Sequence, residues 1–347
     1  MQPEAPPGAL RLQLDADALR ANWQALDRLS GKASAAAAVK ANGYGLGARQ
    51  VTQILQQAGC ADFFVAHWSE VSDIVGLVDP ARISVFHGPL SKADTSYAKA
   101  IGVKPVINTV TQATSWLEGG NGPCDIMVDT GINRLGLAMS DLGNEAVKSL
   151  DVDILMSHLA SADEDVPLND LQRRRWGEAR ASLPHRRASL ANSAGIVLGE
   201  AYHGDLTRPG LALYGGIPRE ELTGEIRQVA RPQAALMQIR DICAGDGLGY
   251  NSTFIAKKPM RVGTIALGYA DGYLRCWSGK GEMVSGSSRL PVLGQVSMDM
   301  TLVDLASAPE LQEGDWVEAP YMLRSAAAAS GLSQYELLTL LGQRFAR

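Results

Sequence analysis

The sequence predicts an α/β protein in which an N-terminal (β/α)8 barrel of the TIM type is followed by a mostly β C-terminal domain. From about residue 33 to residue 214, short apolar runs alternate with helix-like amphipathic segments. Such alternation is typical of βα units around a parallel sheet. Seven or eight units can be counted, and eight would close a barrel. After about residue 219, Gly- and Pro-rich turns separate the apolar runs and helical periods are few, which indicates β structure.

The elements of the barrel follow from this alternation in order. Apolar runs of strand length are expected to form the parallel strands, and they lie at residues 35–39, 63–66, 83–86, 103–107, 126–128, 152–156 and 188–191. Helix-like segments stand between them, such as those at residues 48–58, 110–117, 142–149 and 169–181. A doubly wound open sheet is the alternative arrangement. No GxGxxG motif follows a first strand, so a dinucleotide-binding fold has little support.

The C-terminal region is expected to contain several strands and one closing helix. The strands are predicted at residues 234–239, 260–266, 290–293 and 300–303, and the helix at residues 333–344. We predict the barrel at residues 9–222 and the β-rich domain at residues 223–347. A strand near residues 9–14 is a candidate to pair with the C-terminal domain instead of the barrel.

The composition is that of a globular enzyme and excludes several other classes of protein. Hydrophobic residues make up 46% and charged residues 20% of the chain, and the net charge is −5. A mildly acidic chain lacks the basic face that nonspecific nucleic-acid binding needs. The four cysteines form no CxxC pair or zinc framework, no signal peptide is visible, and no apolar stretch is long enough to span a bilayer. We therefore expect a cytoplasmic protein with no metal and with neither nucleic-acid nor membrane partners.

A lysine at the end of a predicted strand is the first candidate catalytic residue. Lys40 follows the apolar run 35–39 and precedes a Gly-rich turn. The carboxyl ends of barrel strands form the catalytic face of such a fold. A lysine that points into an apolar pocket loses hydration, which makes its amine a better nucleophile toward an aldehyde cofactor. Judged by position alone, a surface lysine is the alternative.

The residues around Lys40 carry a family resemblance that recurs along nearly the whole chain. The string AVKANGYGLG resembles the cofactor-lysine motif of alanine racemases, VKANAYGHG. Eight further segments resemble motifs of the family in the same order. They are DTGINRLG at 129–136, MSHLASAD at 156–163, NSAG at 192–195, RPGLALYG at 208–215, GYNSTF at 249–254, GYADGY at 268–273, GQVSMD at 294–299 and YE at 335–336.

The resemblance implies a racemase that uses pyridoxal 5'-phosphate to interconvert L- and D-alanine. It also implies a homodimer in which the barrel of one subunit and the β domain of the other share each active site. Lys40 would bind the cofactor and act as one base, and Tyr250 of the partner subunit would be the second base. Two bases are needed because the proton leaves one face of the α-carbon and returns to the other. To accept a proton near neutral pH, a tyrosine must lower its pKa from about 10 by roughly two units.

The resemblance assigns further residues to the cofactor. Arg208 is implied to bond the pyridine nitrogen, and His158 to link that arginine to the tyrosine. Because arginine stays protonated, it donates to this nitrogen without protonating it, which weakens the electron sink and favours racemisation over transamination. A surface ion pair for Arg208 and a packed core histidine for His158 are the alternatives. The other cofactor-binding positions are Tyr44, Asn192, Ser193, Gly210 and Tyr214.

Substrate recognition is implied for residues from both domains. Arg134 is suited to grip the carboxylate of the amino acid. Met298 would contribute its backbone N–H, with Asp299 in support. Tyr269 and Tyr335 match residues that line a narrow entrance and thereby select small side chains, although core packing is an equal alternative for both.

The chain departs from the family pattern seven residues before Arg134. Many members have a lysine there that is carbamylated, and its negative charge positions the arginine. This chain has Met127, which cannot carry that modification. A hydrogen bond from Asn133 and a bound chloride are the two candidates to support Arg134 instead.

Several functions stay open on the sequence alone. A serine or broad-spectrum amino-acid racemase would share Lys40 and Tyr250 and differ at the entrance. A noncatalytic cofactor-binding protein of the single-barrel type would lack the β domain and its tyrosine. A two-domain barrel decarboxylase would carry a cysteine where this chain has the Tyr250 region, which contains none. Supply of D-alanine for cell-wall peptidoglycan and catabolism of L-alanine are alternative roles for the same reaction.

Overall fold

The computed structural model describes residues 8–346 of the chain. Within them the chain forms two compact units. One is Ala16–Arg227, and the other combines the residues up to Asp15 with those from Gln228 onward. Each unit is built on a seven-stranded sheet of its own. None of the helices in residues 8–346 has the length and apolar character that crossing a bilayer requires.

The strands and helices of the described residues are as follows. The strands are β1 (Leu10–Leu14), β2 (Ser34–Ala35), β3 (Ala37–Ala38), β4 (Phe63–Val65), β5 (Ile83–Val85), β6 (Lys104–Ile107), β7 (Pro123–Met127), β8 (Asp151–Met156), β9 (Arg187–Ser189), β10 (Leu206–Thr207), β11 (Ala230–Ile242), β12 (Gly247–Leu248), β13 (Phe254–Ile255), β14 (Met260–Ile265), β15 (Glu282–Ser285), β16 (Ser288–Leu293), β17 (Thr301–Asp304) and β18 (Trp316–Glu318). The helices are α1 (Ala16–Leu29), α2 (Lys40–Tyr44), α3 (Ala48–Ala58), α4 (Lys92–Ile101), α5 (Val110–Glu118), α6 (Glu145–Lys148), α7 (Pro167–Ser182), α8 (Leu323–Ser330) and α9 (Gln334–Thr339).

The parallel strands of Ala16–Arg227 close into a ring. Strands β3 to β9 pair in chain order as a parallel sheet. The short strand β2 leads into β3 and pairs in parallel with β10, so the last strand returns to the first. The N–H of Arg208, directly after β10, donates to the carbonyl of Ala191, after β9, at 2.8 Å. The predicted (β/α)8 barrel is therefore confirmed.

The helices around the barrel differ from the sequence expectation at residues 142–149 and in three further helices. The helix predicted at 142–149 is a 3-10 turn, Met139–Gly143, followed by the single turn α6. Asn144 separates them because its backbone is extended and its side chain accepts the Ala146 N–H at 2.9 Å, which caps α6. Helices α1, α2 and α4 have no counterpart among the helical segments named from the sequence.

The interior of the barrel is apolar in the middle and charged toward the starts of the strands. The apolar cluster consists of Ala36, Phe64, Val106, Met127, Ile154, Met156 and Leu206. Near the strand starts, Arg187 donates to Asp62 (2.9 Å) and to Asp153 (2.8 Å). Lys104 pairs with Asp153 and lies 3.5 Å from Asp125. This ion network occupies the end of the barrel opposite the loops that follow the strands.

The C-terminal unit is an antiparallel barrel. Its strands follow the order β1-β11-β14-β17-β16-β15-β18, and β18 pairs again with β11, which closes the sheet. Strand β1 pairs with the first part of β11. Strand β14 pairs with the second part, and the register of that pairing shifts between Leu236 and Gln238. The mostly β character predicted for this region is confirmed. The helix predicted at 333–344 is shorter, because α9 ends at Thr339 and the N–H of Gly342 donates to the carbonyl of Asp271 (3.1 Å).

Candidate active site

Lys40 stands at the carboxyl end of β3, at the start of an unusual turn. The three residues after it have φ values of 52°, 54° and 62°, so α2 is a left-handed turn. This conformation costs about 1–2 kcal/mol per residue with a side chain, so the surroundings must hold it. Asn42 accepts the N–H of Ala48 through its side-chain oxygen (2.8 Å), and Glu70 accepts the N–H of Ala41 (2.6 Å). These two bonds fix the backbone on which Lys40 sits.

The Lys40 ammonium is partly buried among positive charges. Its nitrogen lies 5.7 Å from the centroid of the Phe86 ring. Burial lowers the pKa of Lys40, and the charge of Arg134 lowers it further; Glu70 opposes this effect, and Arg208 adds to it. A larger share of this amine is therefore neutral than in an ordinary lysine, and only the neutral form accepts a proton or attacks a carbonyl.

Arg208 directly follows β10 and is a buried cation. Its side chain donates to the Ser189 hydroxyl and to the carbonyls of Ser157 and Leu190, and no carboxylate pairs with it in the described part of the chain. Burial lowers the pKa of Arg208 to about 10, although the charge of Asp125 raises it. Because a guanidinium has five N–H donors, these three bonds leave donors for a bound acceptor.

His158 follows β8 and stands in the same electropositive region. Burial lowers the pKa of His158 to about 3, and the charges of Arg208, Arg134 and Lys40 act in the same direction. The imidazole is therefore neutral near neutral pH. The barrel thus brings together Lys40, Arg134, His158 and Arg208. The positive charges of the lysine and the two arginines suit a ligand that carries a phosphate or a carboxylate.

The lowered pKa of His158 makes folding stability depend on pH. The unfolded histidine takes up a proton below its ordinary pKa of about 6.5, whereas the folded one stays neutral down to about pH 3. The unfolded state binds more protons in this window, so the free energy of unfolding should fall as pH drops, by about 2 kcal/mol at about pH 5. His158→Gln should remove this part of the loss. Urea midpoints at about pH 7 and 5 test it; the same fall in both proteins would contradict a neutral folded imidazole.

Ser193 and Gly210 form a compact cradle at the same end of the barrel. The Ser193 hydroxyl accepts the N–H groups of Gly210 (3.0 Å) and Ala212 (3.1 Å). Asn192, the neighbouring residue, accepts the N–H of Gly195 (2.9 Å) through its side-chain oxygen and so shapes the turn. Because the Ser193 oxygen accepts from two backbone N–H groups, its own O–H is left to donate to a bound anion.

Two tyrosines complete the cradle. The rings of Tyr44 and Tyr214 stack with their centroids 4.7 Å apart. The Tyr214 hydroxyl donates to the carbonyl of Ala38 (2.8 Å), which ties this ring to the strand before Lys40. A Cβ added to Gly210 would lie 2.2 Å from the Tyr44 hydroxyl. Tyr44 can therefore approach the backbone closely only because residue 210 is glycine.

Arg134 lies in the loop after β7 and is exposed. Its charge nevertheless lowers the pKa of Lys40 and the pKa of His158. Met127 lies in the apolar interior of the barrel and is 7% exposed. Within residues 8–346, no hydrogen bond joins the side chain of Asn133 to Arg134; the backbone N–H groups of both donate to Asp129 (3.1 and 3.0 Å). The support expected from Asn133 is therefore not seen.

Tyr250 belongs to the C-terminal unit and is accessible. It begins the 3-10 turn Tyr250–Ser252, and its side chain is 64% exposed. Met298 is 52% exposed in the same unit. A Cβ added to Gly294 would lie 3.1 Å from the carbonyl of Leu248, so the strand before Tyr250 adjoins the segment that leads to Met298.

The other predicted residues of the C-terminal unit are linked through backbone and ion pairs. The N–H of Tyr269 donates to the carbonyl of residue 297 (3.0 Å), next to Met298. Asp299 forms an ion pair with Arg344 at 2.7 Å. Tyr335 stands on α9 and is 47% exposed, which disfavours the core-packing alternative for this residue.

Both units match known domains. Residues 14–218 match the family model described as the alanine racemase N-terminal domain, and residues 229–347 match that of the alanine racemase C-terminal domain. The chain belongs to the alanine racemase family. An alanine racemase of Methylobacterium nodulans is 38% identical to this chain over 356 residues, which covers 97% of this chain and 95% of that protein.

Other alanine racemases are similarly related. The biosynthetic one of Agrobacterium fabrum is 37% identical and the catabolic one 38%; each alignment covers 97% of this chain, and 93% and 91% of those proteins. A crystal structure of alanine racemase from Bartonella henselae, with covalently bound pyridoxal phosphate, has a TM-score of 0.89 and 33% identity. That match covers 98% of this chain and 99% of the other.

The sequence did not indicate that two carboxylates of this racemase-family chain, those of Glu70 and Asp271, accept backbone N–H groups. Glu70 accepts the N–H of Ala41 and, at 2.7 Å, that of Ala66, so it joins the loops after β3 and β4. Asp271 is 1% exposed, accepts the N–H of Gly268 (3.0 Å) and pairs with Arg344. The signal available in the sequence was their spacing, because each carboxylate stands three residues after the start of its turn, as in a capping box.

Proposed function

We propose that this member of the alanine racemase family interconverts L- and D-alanine with bound pyridoxal 5'-phosphate. One observation carries the proposal. The carboxyl end of a single barrel joins an amine with a lowered pKa (Lys40), a buried arginine without a carboxylate in the described residues (Arg208), and the cradle of Ser193 and Gly210. The amine of Lys40 suits an aldehyde, the guanidinium of Arg208 suits a pyridine nitrogen, and the cradle suits a phosphate.

The residues present fit this cofactor. Its phosphate would be held by the cradle and its pyridine nitrogen by the N–H donors that Arg208 retains, with His158 beside that arginine. Lys40 would bind the aldehyde carbon. When bound, the cofactor supplies an electron sink that acidifies the α-hydrogen of an amino acid. The other residues assigned to the cofactor are Tyr44, Asn192 and Tyr214.

Two residues are proposed to move the proton. Lys40 would take it from one face of the α-carbon, which its partly neutral amine allows, and Tyr250 of the partner subunit would act on the other face. A positioned acid or base of this kind typically contributes about 10²–10⁴-fold to the rate. Arg208, with a pKa of about 10, keeps its own proton at neutral pH and therefore only donates hydrogen bonds.

The substrate is proposed to be held by its carboxylate. Arg134 would bind this group, and the backbone N–H of Met298 would add a second donor, with Asp299 oriented by its ion pair to Arg344. Tyr269 and Tyr335 would narrow the entrance and exclude large side chains. Exclusion by size is worth only about 1–3 kcal/mol per extra methylene, and an added hydroxyl is rejected no more strongly. We therefore expect a preference for alanine over serine and over larger amino acids instead of an absolute barrier.

A homodimer and a cytoplasmic location are part of the proposal. The C-terminal unit exposes Tyr250 (64%), Met298 (52%) and Met300 (42%), and a second copy of the chain would cover them. Each active site would then combine the barrel of one subunit with the β domain of the other. The four cysteines are free thiols, which suits a reducing compartment.

An enantiomer-specific assay tests the function. Purified protein with added pyridoxal phosphate should form D-alanine from L-alanine and L-alanine from D-alanine. Both reactions should end at equal concentrations because enantiomers have equal free energies in water. Parallel assays with serine and a larger amino acid separate an alanine racemase from a broad-spectrum one. Retention of the cofactor without inversion of any amino acid would contradict the proposal.

Gly210→Ala should weaken cofactor binding. The added Cβ would lie 2.2 Å from the Tyr44 hydroxyl, so Tyr44 must leave the cradle. We expect the dissociation constant of pyridoxal phosphate to rise about tenfold, which corresponds to one lost hydrogen bond to a charged group. Titration of the apoprotein followed by absorbance measures it. Gly177→Ala is the control, because a Cβ there meets nothing within 4 Å; equal affinities of both variants would contradict the close approach.

A further inference from the structure

The two ends of the loop that carries Arg134 are joined by backbone hydrogen bonds, whereas the middle of the loop is exposed. The N–H of Asp129 donates to the carbonyl of Leu137 (2.9 Å), and the N–H of Leu137 donates to the carbonyl of Met127 (2.8 Å). Arg134 lies between these bonds. Within residues 8–346, no hydrogen bond or ion pair holds its guanidinium. Its direction must therefore come from the backbone of the loop.

One carboxylate organises this backbone. Oδ1 of Asp129 accepts the N–H groups of Gly131 (2.8 Å), Ile132 (3.0 Å) and Asn133 (3.1 Å). Oδ2 of the same residue accepts the N–H of Arg134 at 3.0 Å. Four successive N–H groups thus point at a single side chain. Hydrogen bonds to a charged acceptor are among the stronger ones in proteins.

Few other contacts shape the tip of the loop. The second residue, Thr130, is anchored: its hydroxyl is 2.7 Å from that of Ser157 and accepts from Gln172 (3.2 Å), and its carbonyl accepts from Arg175 (3.0 Å). Beyond it the loop borders an open cavity of about 500 Å³, whose lining includes Asp129, Asn133 and Arg175. Within residues 8–346, the hydrogen bonds made by residues 131–134 are the four to Asp129, so we attribute the course of this segment to that carboxylate.

We infer that Asp129 is the positioning residue of Arg134, and that it aims the guanidinium at the substrate carboxylate through the backbone of the loop. This inference rests on the proposed role of Arg134 in carboxylate binding. Met127 offers no charge to the guanidinium because it is buried in the apolar interior of the barrel. The negative group that orders Arg134 is instead the carboxylate of Asp129, two residues after the end of β7.

Two variants and a control test the inference. Asp129→Asn keeps one acceptor oxygen and replaces the other with an N–H donor, whereas Asp129→Ala removes both acceptors. Asp79→Asn is the control, since Asp79 also accepts a backbone N–H, from Ala81 (3.0 Å), but precedes β5 at the opposite end of the barrel. The protein is used with bound pyridoxal phosphate. The readouts are hydrogen exchange of a peptide spanning 129–136, the dissociation constant of propionate, and KM and kcat for alanine.

The expected result separates carboxylate binding from the rest of the site. In Asp129→Asn the 129–136 peptide should exchange faster, and both the propionate dissociation constant and KM should rise about tenfold. Cofactor absorbance and kcat should change much less, and Asp79→Asn should match the wild type. If Asp129→Ala does not fold, Asp129→Asn carries the test alone.

Other outcomes have distinct meanings. Faster exchange in Asp129→Asn with unchanged propionate affinity and KM would overturn the inference, because the loop would loosen without disturbing Arg134. Loss of cofactor with a parallel fall in kcat would also overturn it, since the role would then be structural. If the wild type inverts no amino acid but the variant still loses propionate affinity, the proposed reaction fails and the positioning role is supported.

Discussion

Replacing Lys40 with alanine is expected to abolish racemisation. The variant loses both the amine that holds the cofactor and one of the two proposed bases, so kcat/KM should fall by at least about 10³-fold. The spectrum of the bound cofactor should change as well, because no amine remains to bond its aldehyde carbon. D-alanine formation from L-alanine measures the loss.

A matched control uses a lysine far from the proposed chemistry. Lys148 on α6 pairs with Glu145 at 3.6 Å and its side chain is 47% exposed, so Lys148→Ala should keep wild-type rates. If Lys40→Ala retained more than about a tenth of the wild-type activity, the assignment of Lys40 as a base would be wrong, since general acid–base catalysis alone is worth about 10²–10⁴-fold.

Tyr250→Phe should cripple proton removal from one enantiomer. The ring and its exposure are kept, and only the hydroxyl that would exchange the proton is lost. We expect kcat to fall by about 10²–10⁴-fold in both directions, because inversion needs both bases. Exchange of the α-hydrogen with deuterated water should stop for the enantiomer from which Tyr250 removes the proton. It should persist for the other enantiomer, because Lys40 removes that proton without Tyr250.

The asymmetry of that exchange is the informative part. Tyr97→Phe provides the control, because Tyr97 is a 39% exposed tyrosine on α4 with no proposed role. Its rates should equal those of the wild type for both enantiomers. Equal and undiminished exchange of L- and D-alanine by Tyr250→Phe would refute the two-base mechanism.

The fold class was predictable because the periodicity of apolar residues reports secondary structure directly. Short apolar runs such as 63–66 and 83–86 became β4 and β5, and the predicted helix 48–58 has the bounds of α3. The closure of the ring was expected only from the number of βα units. The strands that close it, β2 and β10, are far apart in sequence and only two residues long, so no local pattern indicates their pairing. Helix ends depended on single residues, such as Asn144, whose side chain caps α6.

The candidate site was predictable to a different degree. Motif matching identified Lys40, His158, Ser193 and Arg208, and the barrel brings all of them to one end, as parallel strands that end in similar loops must. The roles of Asp129 and Glu70 could not be predicted, because they depend on which backbone N–H groups the turns direct at a carboxylate. That geometry exists only after the loops have folded.

Each active site is proposed to take Lys40 from one subunit and Tyr250 from its partner. Mixing the two inactive variants, Lys40→Ala and Tyr250→Phe, tests it directly. If the subunits exchange, half of the dimers are mixed and each mixed dimer holds one intact site, so about a quarter of wild-type activity should return. No recovery of activity, with subunit exchange verified by differential labelling, would contradict a site shared between subunits.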